Sequence, residues 1–418
     1  GPSQAMPIYY GDDINMPFDP SEQDLVRAFK AADNTAQRRE IITDFLRAAR
    51  EQNDDEQHLV RIAQFALNLL ARANEYDTIL YFLATDAPEF PHKSKLIFAL
   101  RGAGFHIPEE VLAAYIDHPE AMVAAIRTIP AQAWHGWMIE RMVASYESQT
   151  IQWRLHILEV LMRIDGPKYD LKPALHRWVW FEDDQECRRL IYGLVGRFGD
   201  ASFIDELTES MTSSGLDDIH RLEALGRIGD PRAIPALGEK IRKTIEVEVT
   251  AIIRTLGRLG GAASLEIVSR YMFDPIFQRD AIRAFVAIGG DHAREHLLVL
   301  RYHYFGRELQ TVLVDALVDT ATLDIAPHLV PLIYEKPVDV RIVRRILQVL
   351  GQLKFADANP DLIYVMHGNL VSSPSEASID IHELAEIAAD ALQQIGTPEA
   401  LEAVRNWKDG QRVSESWE

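Results

Sequence analysis

The chain is almost free of cysteine. Cys187 stands alone, so no disulfide can form within the chain, and a reducing compartment is the natural expectation. No apolar run approaches the roughly 18 residues that a membrane-spanning helix needs, so no span is expected. Positive charge is also short. The 43 Lys and Arg face 63 Asp and Glu, a formal net charge of −20. Such a surface repels phosphate backbones, which disfavours nucleic acid as a partner. No phosphate-cradling loop is present, because the Gly-x-x-Gly phrases end helical patterns and do not follow strands. No nucleophile, base and orienting group stand at a recognisable spacing, so no catalytic residue and no cofactor are expected. Gly1 to Ala5 reads as a tag remnant before Met6, and no signal peptide is visible after it, which makes a cytoplasmic location the expectation.

What the sequence does have is a repeated phrase. Residues 224–237 read Ala-Leu-Gly-Arg-Ile-Gly-Asp-Pro-Arg-Ala-Ile-Pro-Ala-Leu, and near-copies surround Gly199, Gly260, Gly289 and Gly396. Leu222, Leu225 and Ile228 share one helical face. Gly229 suits a left-handed helix end, Asp230 suits the cap of the next helix, and Pro231 suits its first position. Ile234, Leu237 and Ile241 give the second helix an apolar face. Weaker units turn at Ala321 and Lys354. A second glycine recurs three residues before the turn, at Gly196, Gly226, Gly257 and Gly351, and predicts close helix approach.

One such unit cannot bury its apolar face alone, so the units must stack. The expected fold is all-α, a right-handed α-solenoid (an armadillo/HEAT-like superhelix) of about eleven helical pairs. Residues 1–20 read as tag remnant and extended arm, with Tyr9, Tyr10 and Phe18 offering a cap for the first pair. Residues 21–183 read as degenerate repeats and 184–407 as regular ones. A loop insertion occupies 367–380, and a polar tail, expected to fray, occupies 408–418.

The phrase resembles HEAT-like repeats of the short bacterial type named after phycobilisome (PBS) lyases. The resemblance implies the solenoid fold. It also implies one possible activity, since named relatives attach bilin chromophores to phycobiliproteins or chaperone them. Alkylpurine glycosylases of HEAT-like shape suggest a nucleic-acid-binding alternative. The sequence itself favours a non-catalytic scaffold or adaptor that binds a protein partner on its concave face.

Three groups of residues are candidates for chemistry. Arg154, Arg188, Arg189, Arg221, Arg254, Arg279, Arg283, Arg344 and Arg345 recur at related helix positions. They form either a basic ladder for an acidic partner or ion pairs with carboxylates of neighbouring repeats. Trp134, Trp137, Trp153, Trp178 and Trp180 lie within 47 residues, and form either an interaction hot spot or a core filling. His292 and His296 share a helical face at the spacing of a metal chelate, with His303 nearby, but the glutamate is misplaced for a zinc-protease motif. Their alternative is ordinary exposed histidine. His382-Glu383 resembles one dipeptide of iron-binding HEAT-like hydroxylases, which need several. Arg188 and Arg189 beside Cys187 suggest a lowered thiol pKa.

Overall fold

A computed structural model describes residues 19–164, 168–209, 216–301, 307–371 and 378–416. The aromatic residues of the amino-terminal arm, His303 and loop residues 372–377 lie outside the described residues. Within them, all regular structure is helical, with 24 α-helices. Contacts divide the chain into two compact units, 1–194 and 195–418.

The first unit holds α1 (Pro20–Ala31), α2 (Thr35–Gln52), α3 (Glu56–Arg72), α4 (Tyr76–Ala84), α5 (Lys93–Gly102) and α6 (Glu109–Ala113). These are followed by α7 (Met122–Thr128), α8 (Gly136–Ala144), α9 (Ile151–Arg163), α10 (Lys172–Phe181) and the greater part of α11 (Gln185–Phe198). Side-chain caps set several starts. Asn34 accepts from Gln37 N at 2.9 Å, Asp55 from His58 N at 3.0 Å, and Asp184 from Cys187 N at 2.9 Å. Alternate helices stack, with α5 packed between α3 and α7, and α7 in turn on α9.

The second unit holds α12 (Ile204–Glu209), α13 (Leu216–Ile228), α14 (Ile234–Lys240), α15 (Glu246–Leu259), α16 (Gly261–Ser269) and α17 (Gln278–Ile288). It continues with α18 (Gly290–Arg301), α19 (Arg307–Asp319), α20 (Ala326–Leu329), α21 (Val340–Gln352), α22 (Asn359–Met366), α23 (Ile381–Ile395) and α24 (Pro398–Glu415). The first helices of successive repeats, α13, α15, α17, α19, α21 and α23, stack in order, while α14 packs on α16 and α22 on α24 in a second layer. Two layers of consecutively stacked helices are the architecture of an α-solenoid.

The repeat phrase works largely as its residues suggest. Gly229, Gly260, Gly289 and Gly396 all adopt φ near +70°, where a side chain would be strained. Gly199 differs. It is not left-handed, and its role is space, because a Cβ there would stand 2.4 Å from the Val195 carbonyl oxygen. Asp230 does cap, accepting from Arg232 N at 2.9 Å, but the restart first makes a 3₁₀ turn over Pro231–Ala233. The same opening recurs at Ala201–Phe203 and Ala356–Ala358. The polar stretch from Lys408, expected to fray, extends α24 to Glu415. In the insertion after His367, Leu370 is buried and its carbonyl accepts from Lys336 Nζ at 2.8 Å, so the described start of that loop is anchored.

Candidate functional site

The tryptophans separate into two kinds. Trp134 and Trp178 are fully buried, whereas Trp137 and Trp180 are 53% and 59% exposed. Trp153 is intermediate. Spacing explains the split at 178–180: α10 turns its Trp178 face inward, and a residue two positions on lies nearly opposite. The Trp178 ring packs on Tyr146 with centroids 4.1 Å apart.

Around that pair sits a buried polar node. The Tyr146 hydroxyl donates to Glu182 at 2.5 Å, and Arg154 lies 3.4 Å from the same carboxylate. The Arg154 guanidinium also stands over the rings of Phe181 at 5.3 Å and Tyr146 at 5.9 Å. Glu182 is 1% exposed, yet the sequence places it in an acidic run beside Asp183 and Asp184, with nothing to mark it as internal. Burial, and then the hydrogen bond to Glu182, hold the Tyr146 hydroxyl far above the usual tyrosine range.

Cys187 borders this node. Burial pushes its thiol up to about 12, Glu182 and Asp184 push the same way, and among these contributions Arg154 alone opposes. The expected thiolate-favouring effect of Arg188 and Arg189 is therefore overturned by desolvation. Arg189 instead pairs with Glu186 at 3.1 Å on its own helix. Arg188 is half-buried beside it.

In the second unit, most of the recurring arginines meet carboxylates, several of them from the next repeat. Arg254 reaches Asp280 at 3.4 Å between α15 and α17. Arg279 pairs with Glu308 between α17 and α19, and Arg344 with Glu383 between α21 and α23. Arg345 binds Asp315 at 2.5 Å and also Asp319. Arg221 lies 3.0 Å from buried Asp218, which Lys240 also contacts at 2.7 Å. Arg283 is exposed. The row is thus one of alternating charge, and its exposed members contribute little stability each.

His292 and His296 stand apart chemically. His292 is 81% exposed and 3.6 Å from Glu295. His296 Nδ1 is 2.8 Å from the His292 carbonyl oxygen, and its ring packs near Phe285. Among the described residues, no three His, Cys, Asp or Glu side chains converge on a position suited to a metal ion. Glu383, of the His382-Glu383 dipeptide, is engaged by Arg344.

Exposed apolar residues other than tryptophan stand within the tryptophan-rich stretch and beyond it. Ile151 and Phe181, 48% and 42% exposed, stand at the start of α9 and the end of α10. Phe181 borders the Tyr146 node, its ring centroid 6.5 Å from that of Tyr146. Trp137 stands at the far end of α8 from it, roughly 12 Å of helix away. In the second unit, Ile245, Val247, Phe273 and Ile276 are each 58–62% exposed.

Residues 222–242 match a family model described as the PBS lyase HEAT-like repeat. No curated protein matches the chain. Among known structures, a homology model of the full-length AP-3 complex in an intermediate open conformation aligns with a TM-score of 0.51 at 12% identity, covering 93% of this chain and 86% of that one. The karyopherin Kap121p bound to the extreme C-terminus of the protein phosphatase Cdc14p aligns with a TM-score of 0.49 at 13% identity, covering 93% of this chain. This chain spans about half of that karyopherin, 51%. A chain from a structure of the cadherin and beta-catenin interaction aligns with a TM-score of 0.42 at 14% identity, covering 94% and 96%. At these identities the likeness is one of fold. The chain is a HEAT/armadillo-like repeat solenoid.

Proposed function

We propose that this chain is a non-catalytic scaffold that binds a protein partner, with Trp180 as the principal anchor. The observation that carries the reading is the 59% exposure of Trp180 next to exposed Phe181 at the end of α10, a helix whose opposite face is anchored by Trp178 on Tyr146. Large aromatic side chains held rigidly at a surface lose little entropy on binding, and they dominate interface energetics. The arginine row supports a partner of mixed charge, because its exposed ion pairs can exchange carboxylates at small cost. Trp137 and Arg283 are subsidiary contacts in this reading. Trp134 and Trp178 are buried and would not touch the partner.

The test is a quantitative affinity purification with Trp180→Ala/Phe181→Ala beside the native chain. The expected result is that a defined set of bound proteins falls by about tenfold or more, corresponding to ~1.4 kcal/mol of lost binding, with an unchanged melting temperature. An identical set at identical abundance would remove Trp180 as the anchor.

A further inference from the structure

The glycine that precedes each turn does more than bring helices together. In two repeats it seats an arginine of the next. A Cβ added at Gly196 would stand 3.0 Å from Arg227 Cδ, and one at Gly226 would stand 3.1 Å from Arg258 Cδ. Arg227 and Arg258 hold the same place in their repeats, two residues before Gly229 and Gly260. Their aliphatic stems lie against the bare backbone of the preceding helix, yet both residues are exposed. Arg254 and Arg283, also exposed, share a second place, six residues before Gly260 and Gly289. The two rows together cross α13, α15 and α17, which stack in that order.

This strip differs from the ion-paired arginines further along the unit. Among the described residues, Arg227, Arg258 and Arg283 make no ion pair. Arg254 reaches Asp280 at 3.4 Å, with 65% of its side chain exposed. A guanidinium whose stem is already held loses less freedom on binding, and an unpaired one has no partner to give up.

The charge here is locally unbalanced. Residues 219–228, 250–259 and 279–288 hold six arginines against two carboxylates, Glu223 and Asp280. Asp218 and Glu308 reach in from outside to Arg221 and Arg279, and arginine still exceeds carboxylate. At the same two places, α19 carries Asp315 and Asp319, α21 carries Gln348 and Gln352, and α23 carries Asp390 and Gln394. The positive strip therefore ends at α17, within a chain of net charge −20.

Spacing selects the form of the ligand. Packed helices lie about 8–10 Å apart, so a ligand with one anion per helix must repeat its charge at that interval. A polyproline II segment has three residues per turn and rises about 3.1 Å per residue, which puts every third side chain on one face roughly 9 Å apart. A β-strand turns its third residue to the opposite face. The aspartates next along the layer and the net charge of the chain oppose a nucleic acid.

We infer that this strip binds an extended acidic segment of a protein partner, in polyproline II conformation with Asp or Glu at every third residue. Arg227, Arg258 and Arg283 each take one carboxylate, and Arg254 lies alongside. The inference rests on the protein-binding reading above. It shares Arg283 with that reading but not Trp180, so the two fail separately.

The experiment is fluorescence anisotropy of the full chain with a fluorescein-labelled repeat of Glu-Pro-Pro, about fifteen residues long, which favours polyproline II. The chain should bind it, less tightly as salt rises. Arg227→Glu/Arg258→Glu should weaken binding about tenfold or more, a loss of at least ~1.4 kcal/mol, with an unchanged melting temperature. Arg227→Gln/Arg258→Gln, which removes charge without reversing it, should weaken binding too. Lys243→Glu/Arg270→Glu makes the same change of net charge on the loops between repeats and should leave binding unchanged, as should Trp180→Ala. A peptide of equal composition with its glutamates in one block should bind more weakly. The proposal is overturned if the repeating peptide does not bind, or if both Arg227/Arg258 variants bind it as the native chain does. Equal loss in either control variant overturns it as well. So does equally tight binding of the block peptide or of a single-stranded oligonucleotide of the same charge, because the strip would then recognise charge alone.

Discussion

The two units bring neighbouring helices together by opposite means. In residues 195–418 the contact is made by removing side chains. A Cβ added at Gly257 would stand 3.1 Å from the Ala284 Cα, and one at Gly351 only 2.8 Å from the Ala391 Cα. In residues 19–194 the contact is made by filling, with Trp134, Trp178, Tyr146, Phe82 and Phe90 among the largest buried side chains. Buried charge does not distinguish them, since Asp218 and Arg221 in the second unit match Glu22, Lys93 and Glu182 in the first. The difference lies in the volume between helices. The small-residue phrase fixes backbone spacing and can be copied from repeat to repeat. Aromatic filling is local, so each contact in the first unit needs its own shape.

The largest break in that comparison should come from emptying a filled contact. Trp178→Ala should lose about 3–5 kcal/mol, read as a lower urea midpoint with collapse of the near-ultraviolet signal of the stacked Tyr146 ring. A loss under about 1 kcal/mol would show that the indole does not support its neighbours. Filling an emptied contact is the converse. Gly351→Ala should lose about 1–3 kcal/mol by overpacking. Gly410→Ala, the same change in α24 with nothing within 4 Å of the added Cβ, should gain up to about 1 kcal/mol from helix propensity. Opposite signs in thermal melts support glycine as a spacer, and equal signs refute it.

Much of this was legible in the sequence, for reasons that differ by residue. The fold was readable because glycine ends helices by a local rule, and Gly229, Gly260, Gly289 and Gly396 obey it without reference to distant contacts. Gly199 was readable as glycine but not for its reason, since the nearby carbonyl depends on the detailed end of α11. The split between Trp178 and Trp180 followed from helical angle, but which face turned inward did not. Glu182 was invisible, because an acidic run looks solvated until Tyr146 and Arg154 arrive from 36 and 28 residues away. The uncapped start at Ile245 was hidden for a similar reason. An isoleucine before a helix reads as core, and only its exposure in the fold shows otherwise.

The smallest effect at neutral pH, where it vanishes, sharpens the comparison through its chemistry. Cys187 belongs to the filled unit, and burial raises its thiol from 9.0 to about 12. A group whose folded pKa is raised stabilises fully below its unfolded pKa and loses that contribution as pH rises toward the folded value. From pH 9 upward the unfolded chain sheds the thiol proton while the native chain keeps it, so the native state binds more protons and stability must fall with pH. Tyrosines, with an ordinary value near 10, begin to add to the fall over the same range, so the share of the thiol is the difference between the native chain and Cys187→Ala. The urea midpoint of the native chain should decline between pH 9 and 10, and Cys187→Ala should make that decline shallower. Tyr146→Phe should reduce the fall mainly above pH 10, where the unfolded phenol ionises and the buried one does not. Parallel midpoint curves for the native chain and Cys187→Ala between pH 9 and 10 would mean that the thiol ionises as freely inside the fold as outside it, and the filled contact around α11 would then be open to water.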